Sequence, residues 1–146
     1  MDTPYLKPGS LAPAFTLPSN DGQPITRSQY RNKAGLLLIF VPSLADPSVA
    51  ALLEQVAKDT ERYSKLRAKV YIISHTPGNA PLPVLTDADG TTWRAYSGQS
   101  APGYGVFVLD KYGGVDTQIV GADPAILPDA ETLYELMQST MYKCNI

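Results

Sequence analysis

Apolar residues fall into two patterns along this chain, unbroken runs and stripes of helical period. Leu36-Leu37-Leu38-Ile39-Phe40-Val41 is an unbroken run closed by Pro42. Such a run predicts a central strand covered on both faces in a parallel sheet. After it, Val49, Leu52, Leu53, Val56, Thr60, Tyr63 and Leu66 recur at three- and four-residue spacing, with Glu54, Lys58, Asp59 and Lys65 between them. That stripe predicts one amphipathic helix. Asp46 is placed to cap its free amides, and Pro47 falls at the first helical position, where a missing N–H costs nothing. Lys69 to Ser74, with Val70-Tyr71-Ile72-Ile73 inside it, reads as a second buried strand. Strand, crossover helix and strand make one βαβ unit, which is right-handed in nearly all proteins.

The flanking segments are quieter. Residues 1 to 34 are rich in Pro, Gly, Ser and Asn; Phe15-Thr16-Leu17, Pro18 and the turn-forming Asn20-Asp21-Gly22 predict an arm with one short strand or hairpin. Beyond a Pro-rich loop from Thr76 to Pro83 come Val84-Leu85, the acidic turn Asp87-Ala88-Asp89-Gly90 and a short helix from Thr91 to Tyr96. Gly105 to Leu109 and Val115 to Val120 predict two strands of a hairpin turning at Asp110-Lys111-Tyr112-Gly113-Gly114. A last helix, about Asp129 to Tyr142, sets Leu133, Leu136, Met137 and Met141 on one face. The chain carries no repeat and no low-complexity tract, and 1–146 reads as a single domain.

Composition narrows the function classes. The 12 Lys and Arg against 14 Asp and Glu, a net charge of −2, are too balanced and dispersed for a nucleic-acid face. The longest apolar run falls far short of the roughly 20 residues needed to span a bilayer. Met1-Asp2-Thr3-Pro4 has neither the basic flank nor the apolar stretch of a secretory signal, which predicts a cytoplasmic location. One cysteine allows neither an intramolecular disulfide nor a thiolate metal cluster, and no cofactor is expected.

The order β-α-β-α-β-β-α is that of a thioredoxin-like three-layer α/β fold, a central mixed sheet flanked by helices, here with an N-terminal arm. Four segments resemble the peroxiredoxins of the alkyl hydroperoxide reductase (AhpC/TSA, redoxin) family. Pro8-Gly9-Ser10-Leu11-Ala12-Pro13-Ala14-Phe15-Thr16-Leu17-Pro18-Ser19-Asn20-Asp21-Gly22 is similar to the family's opening P-G-x-x-A-P-x-F-x-L-x-x-x-D-G. Phe40 to Val49 follows the frame of its F-x-P-x-x-x-T-x-x-C loop. Leu85-Thr86-Asp87-Ala88-Asp89-Gly90 resembles its L-x-D-x-x-G segment, and Phe107 to Val115 its F-V-I-D-x-x-G-x-I hairpin.

That resemblance implies a thiolate at a helix N-terminus that attacks peroxide, a hydroxyl three residues earlier that orients the peroxide, and an arginine that holds the thiolate charge. The physical logic is that a helix N-terminus and a cation lower a cysteine pKa. Carried over, the thiol position is Val49, the hydroxyl position Asp46 and the arginine position Tyr104; only Pro42 keeps the family residue. An isopropyl group cannot ionise or form a disulfide.

Other residues offer chemistry beside these. Ser48, with His75 as a base, would be a nucleophile only with an orienting group and an oxyanion hole; otherwise Ser48 is a first-turn residue and His75 a strand-end residue. Cys144, the one thiol, is either a redox centre or an ordinary cysteine past the last helix. Asp87 and Asp89 start like a calcium loop but lack the closing glutamate, so a solvated turn capping the next helix is the plainer reading. Trp93 with Tyr96, and Tyr104, Phe107 and Tyr112, form either a binding patch or packing against the sheet. The loop Ser97-Gly98-Gln99-Ser100-Ala101-Pro102-Gly103 is uncharged and faces the first helix in the expected fold, which predicts a neutral cleft lined by Pro42, Asp46, Val49 and Tyr104.

Two readings follow. In one, a peroxiredoxin-like protein without the peroxidatic cysteine binds a protein or small-molecule ligand in the former active-site cleft, away from nucleic acid and membrane. In the other, a thiol-dependent oxidoreductase works through Cys144 or a partner's cysteine. The resemblance also implies a homodimer.

Overall fold

The computed structural model describes residues 5–144. The arm forms an antiparallel hairpin, β1 (Thr16–Pro18) with β2 (Pro24–Thr26). The unbroken run becomes β3 (Gly35–Val41), every residue of it buried. It lies at the centre of a five-stranded sheet with β4 (Ala68–Ser74), β5 (Val84–Thr86), β6 (Tyr104–Leu109) and β7 (Val115–Gly121), in the order β5-β4-β3-β6-β7. β3 runs parallel to β4 and antiparallel to β6, so the sheet is mixed.

Alternate residues of β3 supply two cores. Leu37, Ile39 and Val41 pack with Val49, Leu53, Leu133 and Met137 from helices α1 (Pro47–Lys58) and α4 (Ala130–Cys144). Leu36, Leu38 and Phe40 pack on the other face with Trp93 and Tyr96 of α3 (Thr91–Ser97) and with Phe15 and Leu17 of the arm. Helices, sheet, then helix and arm make the three layers of the thioredoxin-like fold. The arm is tied at both ends: Gly9 donates to the Val115 carbonyl and Ala12 to that of Gly113, while Asn20 donates to Val84.

Three details differ from the sequence reading. The single helix expected through Leu66 is broken, α1 ending at Lys58 and α2 (Thr60–Lys65) starting after Asp59. The Thr60 hydroxyl donates to the Ala57 carbonyl at 2.7 Å, and the Asp59 N–H reaches back only three residues to Val56, so the helix tightens and stops there. Val84-Leu85 belongs to an extra edge strand, too short to show a period, whose outer side the arm covers through a bridge from Ser19 to Leu85. Cys144 is the last residue of α4 rather than lying beyond it, and its side chain falls outside the described residues.

Candidate functional site

The loop after β3 carries Pro42 and then Asp46, which caps α1. The Asp46 carboxylate accepts the Ser48 N–H at 2.9 Å and the Ser48 hydroxyl at 2.7 Å. These two bonds, the hydroxyl's first, hold its pKa below the ordinary aspartate value. Val49 follows on the inner face of α1, 1% exposed and packed in the core beneath the sheet. Tyr104 opens β6 with its phenol near Asp46; burial first, and the Asp46 charge next, push that phenol's pKa up. The α1 N-terminus therefore faces a carboxylate and a neutral phenol, where a thiolate would need positive charge.

These residues do not share one cleft. Pro42 lines a cavity of about 230 Å³ at the C-terminal ends of β3 and β4, while Asp46, Val49 and Tyr104 lie outside its wall. Ligands of open α/β sheets commonly seat at strand ends of this kind. Its floor is apolar, built by Phe40, Ile73 and Trp93, and its rim carries His75 and Arg94. Ser100, Pro102 and Gly103 of the loop before β6 close one side. Ser48 and Val49 instead border a separate surface groove with Leu52, Pro124 and Leu127. Ser48 thus has its hydroxyl committed to Asp46 and shares no cavity with His75, which removes the geometry a serine nucleophile requires.

Local chemistry explains why the cavity holds its shape. The cap position of α3 is Gly90, which has φ of 72° and no side chain with which to cap. Asp87 does that work from three residues upstream, accepting the Thr92 N–H at 3.2 Å and the Trp93 N–H at 2.8 Å while only 3% exposed. The turn expected to be solvated is in fact buried at Asp87, and the helix-capping role holds. The Trp93 indole donates to the Ala101 carbonyl at 2.8 Å, fastening the loop to the helix. Gly105 admits the Trp93 ring, since a Cβ there would lie 3.0 Å from it. Phe40 stacks with Trp93, Tyr96 and Phe107 at centroid distances of 5.4, 5.5 and 5.4 Å, so these aromatics serve as packing against the sheet. Tyr112 stands half exposed in the β6–β7 turn, apart from Phe107 and Tyr104.

A family model described as the AhpC/TSA family matches residues 8–118. The chain belongs to that family. The match spans Pro42, Asp46, Val49 and Tyr104 and ends before Cys144. No curated protein matches the chain. Among solved structures, reduced 2-Cys peroxiredoxin of Plasmodium vivax superposes with a TM-score of 0.80 at 16% identity, over 94% of this chain and 83% of that one. Peroxidoxin BcpB of Mycobacterium tuberculosis gives 0.77 at 20% identity, over 95% and 98%. AhpC of the same organism gives 0.78 at 14%, over 93% of each chain. These likenesses are of fold, the thioredoxin fold of peroxiredoxins.

Arg94 and the loop carbonyl of Ala101 escaped the sequence reading of the site. The one signal for them was that both flank Trp93 and the uncharged loop, within a segment that topology returns to the end of β3. Among the described residues no three His, Cys, Asp or Glu side chains gather to hold a metal ion, and no helix is long and apolar enough to cross a membrane.

Proposed function

We propose that the protein is a non-peroxidatic member of the AhpC/TSA family, a binding or regulatory module that seats a small molecule or a short segment of a partner protein in the cavity beside Pro42. One observation carries this reading: Val49, at the position the family gives to its thiol, is a buried core residue at the start of α1. Asp46 and Tyr104 support it, because a carboxylate and a phenol replace the groups that would orient peroxide and hold a thiolate. The cavity is smaller than the roughly 300 to 1,000 Å³ typical for drug-sized ligands, which favours a ligand of few atoms or a single side chain. On this reading the protein acts in the cytoplasm, as a monomer or homodimer.

The test is a peroxidase assay on wild type and Cys144→Ser with hydrogen peroxide and an organic hydroperoxide, reduced by thioredoxin or dithiothreitol. Neither protein is expected to turn over. Turnover in wild type that vanishes in Cys144→Ser would replace this reading with a thiol oxidoreductase working through Cys144. Fragment screening by chemical shift should place perturbations at Pro42, His75 and Trp93; shifts scattered elsewhere would remove the cavity from the reading.

A further inference from the structure

At the end of the sheet opposite Pro42, the turn before β3, the turn between α2 and β4, the β6–β7 turn and the end of α4 surround a cavity of about 400 Å³. Lys33, Lys65, Arg67 and Lys111 line it, four of the chain's 12 basic residues in a protein of net charge −2, and no Asp or Glu does. Like charges gathered without a counterion repel one another, and a bound anion would relieve that repulsion. The one ion pair these four make among the described residues joins Lys65 to Glu61 at 3.8 Å, with both side chains largely exposed. Such a pair holds a lysine only weakly.

The backbone points to the same place. Asn32 and Arg67, with φ of 65° and 58°, are the two non-glycine residues with positive φ among the described residues, and both line this cavity. Arg67 occupies the position after α2 where glycine or asparagine commonly reverses a helix end. An arginine there adds a cationic side chain to the cavity lining where a glycine would add none. The turns are fastened to each other, Asn32 donating to the Lys111 carbonyl at 2.6 Å and Gly35 to that of Arg67 at 3.0 Å, so the backbone that carries Arg67 and Lys111 is held around the cavity.

We propose that this cavity binds a small molecule bearing a chain of two or more phosphate groups, held by Lys33, Lys65, Arg67 and Lys111. Ammonium and guanidinium donors converging from separate turns suit several phosphate oxygens at once, and Arg67 can engage two of them. Tyr142, on the rim and 59% exposed, offers a ring face to a base if the phosphates belong to a nucleotide.

Isothermal titration with inorganic tripolyphosphate, pyrophosphate, ADP and sulfate tests the site on the full chain, at about 50 mM and about 300 mM salt. Tripolyphosphate is expected to bind at least about tenfold more tightly than sulfate and to weaken as salt rises. Arg67→Gly relieves the left-handed conformation, so it should raise the melting temperature while weakening tripolyphosphate about fivefold or more. A Lys33→Gln/Lys111→Gln double variant should weaken it further with its melting temperature kept. ADP binding tighter than pyrophosphate, with the difference lost in Tyr142→Ala, assigns a nucleotide; equal binding assigns an inorganic chain. No heat from tripolyphosphate or ADP at low salt, or equal affinity in wild type, Arg67→Gly and the double variant, would overturn the proposal.

Discussion

Asp46 accepts from Ser48 twice, once from its backbone N–H at 2.9 Å and once from its hydroxyl at 2.7 Å. The Asp46 carboxylate is thus spent on closing the start of α1, and the Ser48 hydroxyl is spent with it. A loop built to hold a reactive thiol would leave donors free for the peroxide. This one satisfies its own polar groups.

On the proposed reading, Val49→Cys should not give peroxidase activity. The new thiol would be buried and close to the Asp46 carboxylate, and both work against the lowering of a cysteine pKa that a helix N-terminus gives. Peroxide consumption by Val49→Cys with dithiothreitol is expected to match wild type at neutral pH, and labelling of the new thiol by a maleimide should be slow. Brisk turnover in this single variant would show that Asp46 and Tyr104 are compatible with the chemistry.

Acid should loosen the loops before it unfolds the sheet. Asp21, Asp46, Asp89 and Asp129 all have pKa values held below 3.8, each by hydrogen bonds from a neighbouring side chain or backbone amide. A carboxylate with a depressed folded pKa adds stability that is fully present above 3.8 and is lost as pH falls through the lower folded values. The melting temperature should hold from about pH 7 to about pH 5 and then fall below about pH 4. Asp46→Asn and Asp129→Asn should each flatten that fall in thermal melts followed by circular dichroism.

The buried strands and the cap of α1 were legible because each is a local pattern. Leu36 to Val41, short and closed by Pro42, has the pattern of a covered strand, and Asp46-Pro47 marks a helix start without reference to anything distant. The break at Asp59 was hidden because the apolar stripe continues across it, while the bonds that mark it, Thr60 hydroxyl to Ala57 and Asp59 N–H to Val56, leave no trace in that stripe. The cleft was misplaced for a different reason. Pro42, Asp46 and Val49 are close in sequence, yet the pleat of β3 and the turn into α1 send Val49 below the sheet and Pro42 to its end. The basic cavity was invisible for the converse reason, since Lys33, Lys65, Arg67 and Lys111 are far apart in the chain and meet only through the turns of four elements.

Trp93 is the chain's single tryptophan, it is 6% exposed, and it forms the floor of the cavity beside Pro42. Its emission should be blue-shifted in the native protein and move to the red on unfolding. A ligand that enters the cavity should quench it or shift it further. Trp93→Phe, which leaves the Ala101 carbonyl without its donor, should cost about 1 kcal/mol in urea unfolding and speed amide exchange in residues 98–103. Unchanged exchange there would mean that the loop is held by something other than the indole.

Asp87 presents the strongest single demand in the site. Its carboxylate is nearly inaccessible to water, and it reaches the Thr92 and Trp93 amides that Gly90 has no side chain to satisfy. Asp87→Ala would leave both amides unpaired and should cost about 2 to 3 kcal/mol, since hydrogen bonds to a charged group are worth about 1.5 to 3 kcal/mol each and the opened space admits some water. Asp87→Asn keeps one acceptor oxygen and turns the other position into a donor that faces an N–H, so it should recover less than half of the loss. Urea denaturation of the two variants measures the difference. If Asp87→Asn were as stable as wild type, the charge would be irrelevant and one acceptor oxygen would suffice as the cap; if Asp87→Ala were also stable, α3 and with it the cavity floor would be held by the aromatic packing of Phe40, Trp93 and Tyr96 alone.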